Sequence, residues 1–87
     1  MPGVTRLSLD SAGAPLSSSS TNVFVNGAGA VRLGDSVTPH QSGVHLSSVM
    51  VGKSSTVFVN GLGVCREGDA ASCGHPATGS GNVNAGG

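Results

Sequence analysis

The stretch TVFVNGLGVCREGD at residues 56–69 repeats, with few changes, the stretch NVFVNGAGAVRLGD at residues 22–35. Val23–Asp35 aligns with Val57–Asp69 at an offset of 34 residues, and nine of the 13 aligned positions are identical. Self-similarity of this density in an 87-residue chain indicates a repeat architecture. The repeat is therefore the feature from which the fold can be predicted.

Each copy of the repeat predicts a β-hairpin. Val-Phe-Val is a strand-forming run, and the Asn-Gly that follows it tolerates the two positive φ angles of a type I′ turn. The expected return strands are Ala28–Leu33 and Leu62–Glu67.

A two-residue turn also fixes which residues face each other across the hairpin. Phe24 should face Gly29, and Phe58 should face Gly63, which leaves room for each ring over a glycine. By the same alternation, Val31 and Cys65 lie two residues beyond those glycines on the return strands and should share a face with the Phe side chains.

A third, divided copy lies at the two ends of the chain. Asn82–Gly87 resembles the first strand and turn, whereas Gly3–Leu7 aligns with Gly29–Leu33, and Asp10 follows one residue late. Joined together, these segments would make a third hairpin. The predicted fold class is all-β: a small cone of three pseudo-threefold β-hairpins, the third formed from the two termini, in a single domain over residues 1–87.

The composition limits the size of the core and the kind of partner. The chain has 15 Gly, two Phe, and no Tyr or Trp, so a domain of this length needs an additional source of stability. Four positive and four negative residues give no electrostatic case for binding nucleic acid. No apolar run approaches the roughly 20 residues that span a bilayer, and the N-terminus lacks the order of a secretory signal.

The chain's three His residues suggest a metal site. His40, His45 and His75 all follow the Asp of a repeat, and Cys73 lies two residues before His75. One thiolate and three imidazoles are a complete tetrahedral set for Zn²⁺, and a site closed by four protein ligands is structural. Cys73 aligns with Pro39, so the two clusters leave equivalent points of adjacent repeats. The alternative is that these are surface-loop histidines and that Cys73 is a small loop thiol.

The second cysteine has a different predicted role. Cys65 aligns with Val31 on the apolar face, which favours buried packing. A disulfide between Cys65 and Cys73 is a further possibility.

The Arg-x-Gly-Asp that ends each hairpin predicts a structural clasp rather than a catalytic group. Arg32 and Asp35, like Arg66 and Asp69, are three residues apart around a glycine that permits a tight bend. An Asp that recurs in each repeat is a poor candidate for catalysis, and no other catalytic constellation stands out. The chain is therefore predicted not to be an enzyme.

Three segments carry a resemblance to a known family. TNVFVNGAGAVRLGD, STVFVNGLGVCREGD and the ending ATGSGNV resemble PAAR-repeat proteins, over essentially the whole chain. The resemblance implies a cone that caps a trimeric β-helical spike, with one copy per trimer. That spike is VgrG in type VI secretion or the central spike protein of contractile-tail phages.

The resemblance also implies one structural zinc ion near the vertex, held by three His and one Cys. The positions that match are His40, His45, Cys73 and His75. The N-terminal copy departs from the family pattern, because Arg6–Asp10 has one extra residue and no Gly.

The implied function is mechanical. The tip would pierce the target cell envelope, touching it transiently, and no effector is expected to be fused to it. It would lie at the tip of a phage tail spike in the virion, or in the bacterial cytoplasm before ejection. Two rival functions are a stand-alone zinc-binding adaptor that docks effectors and a small zinc hydrolase, which would need an open coordination position and a general base.

Overall fold

The computed structural model describes residues 2–39 and 47–86, and its regular structure in that part of the chain is entirely β. Two antiparallel hairpins are formed. Their strands are β1 (Phe24–Val25), β2 (Ala28–Gly29), β3 (Phe58–Val59) and β4 (Leu62–Gly63). The Cα atoms extend over 32 × 23 × 23 Å, with two equal short dimensions. The predicted all-β class is confirmed.

Both hairpins turn at Asn-Gly as predicted. Asn26 and Asn60 have φ angles of 53° and 54°, and the glycines after them have φ angles of 84° and 80°. Two successive positive φ angles are the signature of a type I′ turn. Phe24 pairs with Gly29 and Phe58 with Gly63, which confirms the predicted register.

The return strands are shorter than predicted. The strands expected over Ala28–Leu33 and Leu62–Glu67 end at Gly29 and Gly63. They end there because the chain then pairs with a different repeat. The bridges that replace the ladder are Arg6 with Ala30, Arg32 with Val64, and Arg66 with Val4. These three bridges form a closed cycle, in which each repeat pairs with the next and the last pairs with the first.

A ring of backbone hydrogen bonds lies inside this cycle. Val31 donates to the carbonyl of Thr5 (3.0 Å), Cys65 donates to Val31 (2.9 Å), and Thr5 donates to Cys65 (3.0 Å). All three residues are fully buried. The three repeats are therefore joined through their backbones as well as through their side chains.

The two termini meet at the place that a third hairpin would require. Gly3 forms an antiparallel bridge with Asn84, flanked by bonds from Val4 to the Val83 carbonyl (2.8 Å) and from Ala85 to the Pro2 carbonyl (3.0 Å). Residues 2–39 and 47–86 nevertheless contain only two pairs of assigned strands. A third complete hairpin is thus not confirmed, and it stays a prediction supported by this bridge.

Two apolar clusters fill the interior. The hairpin cluster lies among the hairpins and the termini, and its members are Val4, Val25, Ala30, Val59, Val64 and Ala85. The loop cluster lies among the connections between repeats, and its members are Ala12, Leu16, Val31, Val37, Met50, Cys65, Ala71 and Ala77. Ala14 and Cys73 pack against the loop cluster, so they belong to the loop end of the molecule.

The expectation that Val31 and Cys65 share a face with the Phe side chains is wrong. Val31 and Cys65 are buried in the loop cluster, whereas Phe24 is 61% exposed and Phe58 is 59% exposed. The regular alternation of faces stops with β2 and β4, because the next residues turn inward to pair with another repeat.

The glycines opposite the Phe residues have a different role from the one predicted. A Cβ on Gly29 would lie 2.5 Å from the carbonyl oxygen of Ser20, and a Cβ on Gly63 would lie 2.6 Å from that of Ser54. Glycine is required there because the backbone of the preceding segment approaches closely, and not to make room for an aromatic ring.

Candidate functional site

Three Arg–Asp clasps lie at equivalent points of the repeats, and the Arg-x-Gly-Asp spacing predicted two of them. The Nε atoms of Arg6, Arg32 and Arg66 lie 2.7, 3.0 and 2.9 Å from a carboxylate oxygen of Asp10, Asp35 and Asp69. In each clasp an Nη atom reaches the second carboxylate oxygen, and the backbone N–H of the Arg also donates to the carboxylate. The distances for these added bonds are 2.7–3.2 Å. Bidentate pairing of this kind fixes geometry as well as charge.

The irregular N-terminal copy makes the same clasp. Ser8 has a φ angle of 61°, at the position where the other copies carry Gly34 (86°) and Gly68 (91°). The extra residue, Leu9, is exposed, and the bond from Asp10 N–H to the Arg6 carbonyl is kept at 3.2 Å. The chain therefore accommodates the insertion at the surface, without loss of the ion pair.

Each clasp also reaches the next repeat. Arg6 Nη1 donates to Asn26 Oδ1, and Arg32 Nη1 donates to Asn60 Oδ1, both at 3.1 Å. Arg66 Nη1 donates instead to the Gly86 carbonyl, also at 3.1 Å. The hairpin turns are thus held by the arginine of a neighbouring repeat.

The clasps leave the surface almost without uncompensated charge. Six of the eight charged residues form the three clasps, and the remaining two are Lys53 and Glu67. For Asp10, burial opposes ionisation and is the largest single influence on its pKa. The hydrogen bonds from Arg6 and Thr78 together outweigh it, so the pKa of Asp10 lies below its ordinary value of 3.8.

The sequence analysis assigned no role to a serine that caps each hairpin strand. The hydroxyl oxygens of Ser20, Ser54 and Ser80 accept bonds from the backbone N–H three residues later, at 2.9–3.0 Å. All three serines are buried. Their recurrence three positions before Val23, Val57 and Val83 is a signal that could have revealed them.

Two of the four predicted metal ligands meet at the loop end. Ala71 donates to the carbonyl of His75 (3.0 Å), and Gly74 adopts a φ angle of 94° within this turn. The turn brings Cys73 Sγ to 3.3 Å from His75 Nδ1. In a tetrahedral zinc site with ordinary Zn–S and Zn–N bond lengths, these two atoms would be about 3.6 Å apart. The pair therefore fits one edge of such a site.

The other two predicted ligands, His40 and His45, lie outside the described residues. The chain that flanks them is held beside the Cys73 turn. Val49 N–H donates to Ser72 Oγ (3.1 Å), and Ser72 N–H donates to the Val49 carbonyl (2.7 Å). Within residues 2–39 and 47–86 no group of three or more metal-binding side chains occurs. The four-ligand zinc site consequently stays a prediction.

The structure separates the two cysteines. Cys65 is buried, its Sγ donates to the Gly52 carbonyl (3.2 Å), and no disulfide joins it to Cys73. Burial above all, together with the carboxylates of Asp69 and Asp35, raises the pKa of the Cys65 thiol to about 12. A buried thiol of this kind stays protonated at neutral pH and packs as a small apolar side chain. The prediction that Cys65 packs in the core is confirmed.

The opposite, hairpin end carries exposed apolar side chains at equivalent positions. Val23, Val57 and Val83 are each 37–38% exposed, and Phe24 and Phe58 are more exposed. An open groove of about 470 Å³ runs beside Phe24. Its lining is Leu7, residues 17–21, Phe24 and Gly29. Two of the most exposed large apolar groups thus lie on the hairpins rather than on the loops.

Backbone groups of the two exposed Phe residues point away from the partner strands of their hairpins. Ala30 N–H bonds to the Val23 carbonyl at 2.9 Å, and Val64 N–H bonds to the Val57 carbonyl at 3.0 Å. Residues alternate between bonding inward and outward along an antiparallel strand. The backbone N–H and C=O groups of the next residues, Phe24 and Phe58, therefore point away from the partner strand, as such groups do along the unpaired edge of a sheet.

Comparison with known proteins agrees with this architecture. The family model described as PAAR motif matches residues 9–79. The chain belongs to the PAAR motif family. Proteins of this family are structural spike-tip modules rather than enzymes, and they sit on spike proteins. No curated protein matches the PAAR chain. In the part of the chain that the structure describes, no helix is long and apolar enough to cross a membrane.

Proposed function

We propose that this PAAR protein caps and sharpens the trimeric β-helical spike of a contractile injection machine, with one copy of the chain per spike trimer. The observation that carries the proposal is the closed cycle of bridges between repeats, Arg6 with Ala30, Arg32 with Val64, and Arg66 with Val4. A single chain with three equivalent faces can lie on a threefold axis of its partner.

The hairpin end is the surface that would meet the spike. Val23, Val57 and Val83 present apolar surface around the axis, and the outward backbone edges beside them could extend the strands of a β-helix. Covering these edges would remove exposed hydrogen-bonding groups that otherwise invite aggregation. The spike in turn would gain a narrow end in place of a blunt one.

The loop end would then meet the target envelope, and we propose that one zinc ion stabilises it. Cys73 and His75 would hold the ion together with His40 and His45, and the metal would supply a cross-link between connections of different repeats. A four-ligand site leaves no position for a reactive water, so its role would be structural. A small domain with few large core residues benefits from such a cross-link.

The proposed action is mechanical and occurs once per firing. Contraction of the sheath would drive the spike forward, and the tip would concentrate the force on a small area of the envelope. The protein would act from the tip of a phage tail spike in the virion, or be loaded in the bacterial cytoplasm before ejection.

Co-purification with a trimeric β-helical spike protein encoded in the same genome tests the proposal. We expect a complex with one PAAR chain per three spike chains by native mass spectrometry, and added density at the spike end by electron cryomicroscopy. Absence of a stable complex, or a ratio of one to one, would refute the capping function.

A further inference from the structure

Three equivalent positions at the hairpin end do not carry equivalent side chains. The bridges place Phe24 opposite Gly29, Phe58 opposite Gly63, and Asn84 opposite Gly3. Two of these positions therefore present an exposed aromatic ring, and the third presents an amide. The backbone around them is matched, since Val83 accepts a bond from Val4 as Val23 does from Ala30.

Electrostatic attraction contributes little to any docking at this surface. Apart from the three clasps, Lys53 and Glu67 are the only Lys, Arg, Asp or Glu residues in the chain. Specific binding must therefore depend mainly on apolar contact and strand pairing. Exposed aromatic side chains are the groups that most often supply such binding energy.

We propose that Phe24 and Phe58 anchor this chain to two of the three identical faces of a threefold-symmetric spike, and that Asn84 leaves the third face without an aromatic anchor. This inference rests on the proposed capping function and adds the residues that determine its affinity. A symmetric trimer offers the same surface three times, so the three rotational placements of the cap are equivalent. The asymmetry of the cap consequently lowers affinity without selecting an orientation.

One substitution at this surface is expected to improve binding. Asn84→Phe would supply the third anchor at a position that is already exposed. If about half of the exposed surface of one Phe becomes buried on docking, each anchor corresponds to roughly a tenfold change in Kd. The expected order of affinity is Asn84→Phe above the unmodified chain, with Phe24→Ala and Phe58→Ala below it.

Titration by isothermal calorimetry against a purified trimeric β-helical spike protein encoded in the same genome measures these changes. Leu9→Ala is the matched control, because Leu9 is 57% exposed but lies in the N-terminal clasp rather than on a hairpin. It should bind as the unmodified chain does. Thermal melting of each variant confirms that it is folded. The gain in affinity expected for Asn84→Phe could not result from unfolding of the variant.

The outcomes separate the two claims. No binding by the unmodified chain would refute the proposed function itself. Binding by the unmodified chain, with Phe24→Ala and Phe58→Ala unaffected, would overturn the anchor assignment and leave the capping function standing. An Asn84→Phe variant with unchanged or weaker affinity would overturn the claim that the Asn84 position lacks an anchor that the Phe24 and Phe58 positions supply.

Discussion

Removal of the Asp35 carboxylate should destabilise the protein strongly, although its arginine partner is partly exposed. The carboxylate is 92% buried and accepts bonds from Arg32 N–H (2.7 Å), Nε (3.0 Å) and Nη2 (3.0 Å), and from Ser18 Oγ (3.1 Å). Asp35→Ala removes the two carboxylate oxygens that accept these four hydrogen bonds. It leaves the guanidinium and one backbone N–H without their partner.

The magnitude follows from these contacts. Breaking a buried ion pair by removing one member costs about 3–5 kcal/mol. The Arg32 side chain is 19% exposed, so water recovers part of that loss, and we expect about 2–4 kcal/mol. For a domain of this size, 1 kcal/mol corresponds to roughly 4–8 °C in Tm. The melting temperature should therefore fall by about 10–25 °C.

Circular dichroism melts and urea titrations of Asp35→Ala, Asp69→Ala and Glu67→Ala measure the effect. The Asp69 side chain is 15% exposed against 8% for Asp35, so Asp69→Ala should cost somewhat less. Glu67 is exposed and outside the clasps, and Glu67→Ala should stay within about 0.5 kcal/mol of the unmodified chain. Equal, small shifts for all three variants would show that the clasps do not stabilise the fold.

Four further predictions concern the metal, the acid limit, the backbone and the partner. Cys73→Ser should lower zinc content, by mass spectrometry of metals, from about one per chain, whereas Cys65→Val should retain the zinc; equal retention by both would exclude the thiol ligand. Because the pKa of Asp10 is lowered on folding, its stabilisation is present above the unfolded value of 3.8 and is lost as pH falls below it. In urea titrations below about pH 4, the free energy of unfolding should therefore fall less steeply with pH for Asp10→Asn than for the unmodified chain. Equal slopes for the two proteins would contradict this. Gly29→Ala should lower the free energy of unfolding by more than about 2 kcal/mol in the same titrations, because the added Cβ meets backbone atoms. Gly81→Ala should cost little, because nothing lies within 4 Å of the added Cβ. Similar losses for the two variants would refute the close approach at Gly29. Finally, affinity for a spike trimer should change less than about threefold between 50 and 500 mM NaCl, and a steep loss of affinity by calorimetry would reveal an unseen ionic contact.

Local chemistry made some features predictable from sequence. The type I′ turn depends only on the backbone freedom of Asn26-Gly27 and Asn60-Gly61, so the turn and the register beside it were predicted correctly. Strand length was not predictable in the same way. Ala30 still donates to the Val23 carbonyl of its own hairpin, but its bridge is to Arg6, 24 residues away in sequence, and no local pattern encodes that contact.

The candidate metal site was likewise predictable from the sequence only in part. Cys73 and His75 are two residues apart, and one turn with a positive φ at Gly74 brings their side chains together. Their meeting was thus implied by the sequence spacing itself. Convergence with His40 and His45 depends on how a neighbouring connection is placed. The bonds between Val49 and Ser72 hold one end of that connection beside the Cys73 turn.

A single chain has a physical advantage over three identical copies at the centre of such a fold. Leu16, Met50 and Ala77 occupy equivalent places, since each donates to the carbonyl of a clasp aspartate, at 2.8–3.3 Å. All three are buried in the loop cluster. Three identical large side chains would compete for the same space near the axis, and three alanines would leave a cavity, whereas two large residues and one small one can fill it. The proposed zinc site has the same requirement, because one Cys and three His cannot come from equivalent residues of a homotrimer. Unequal repeats therefore let the interior depart from threefold symmetry, while the backbone keeps enough of that symmetry to match a trimeric partner.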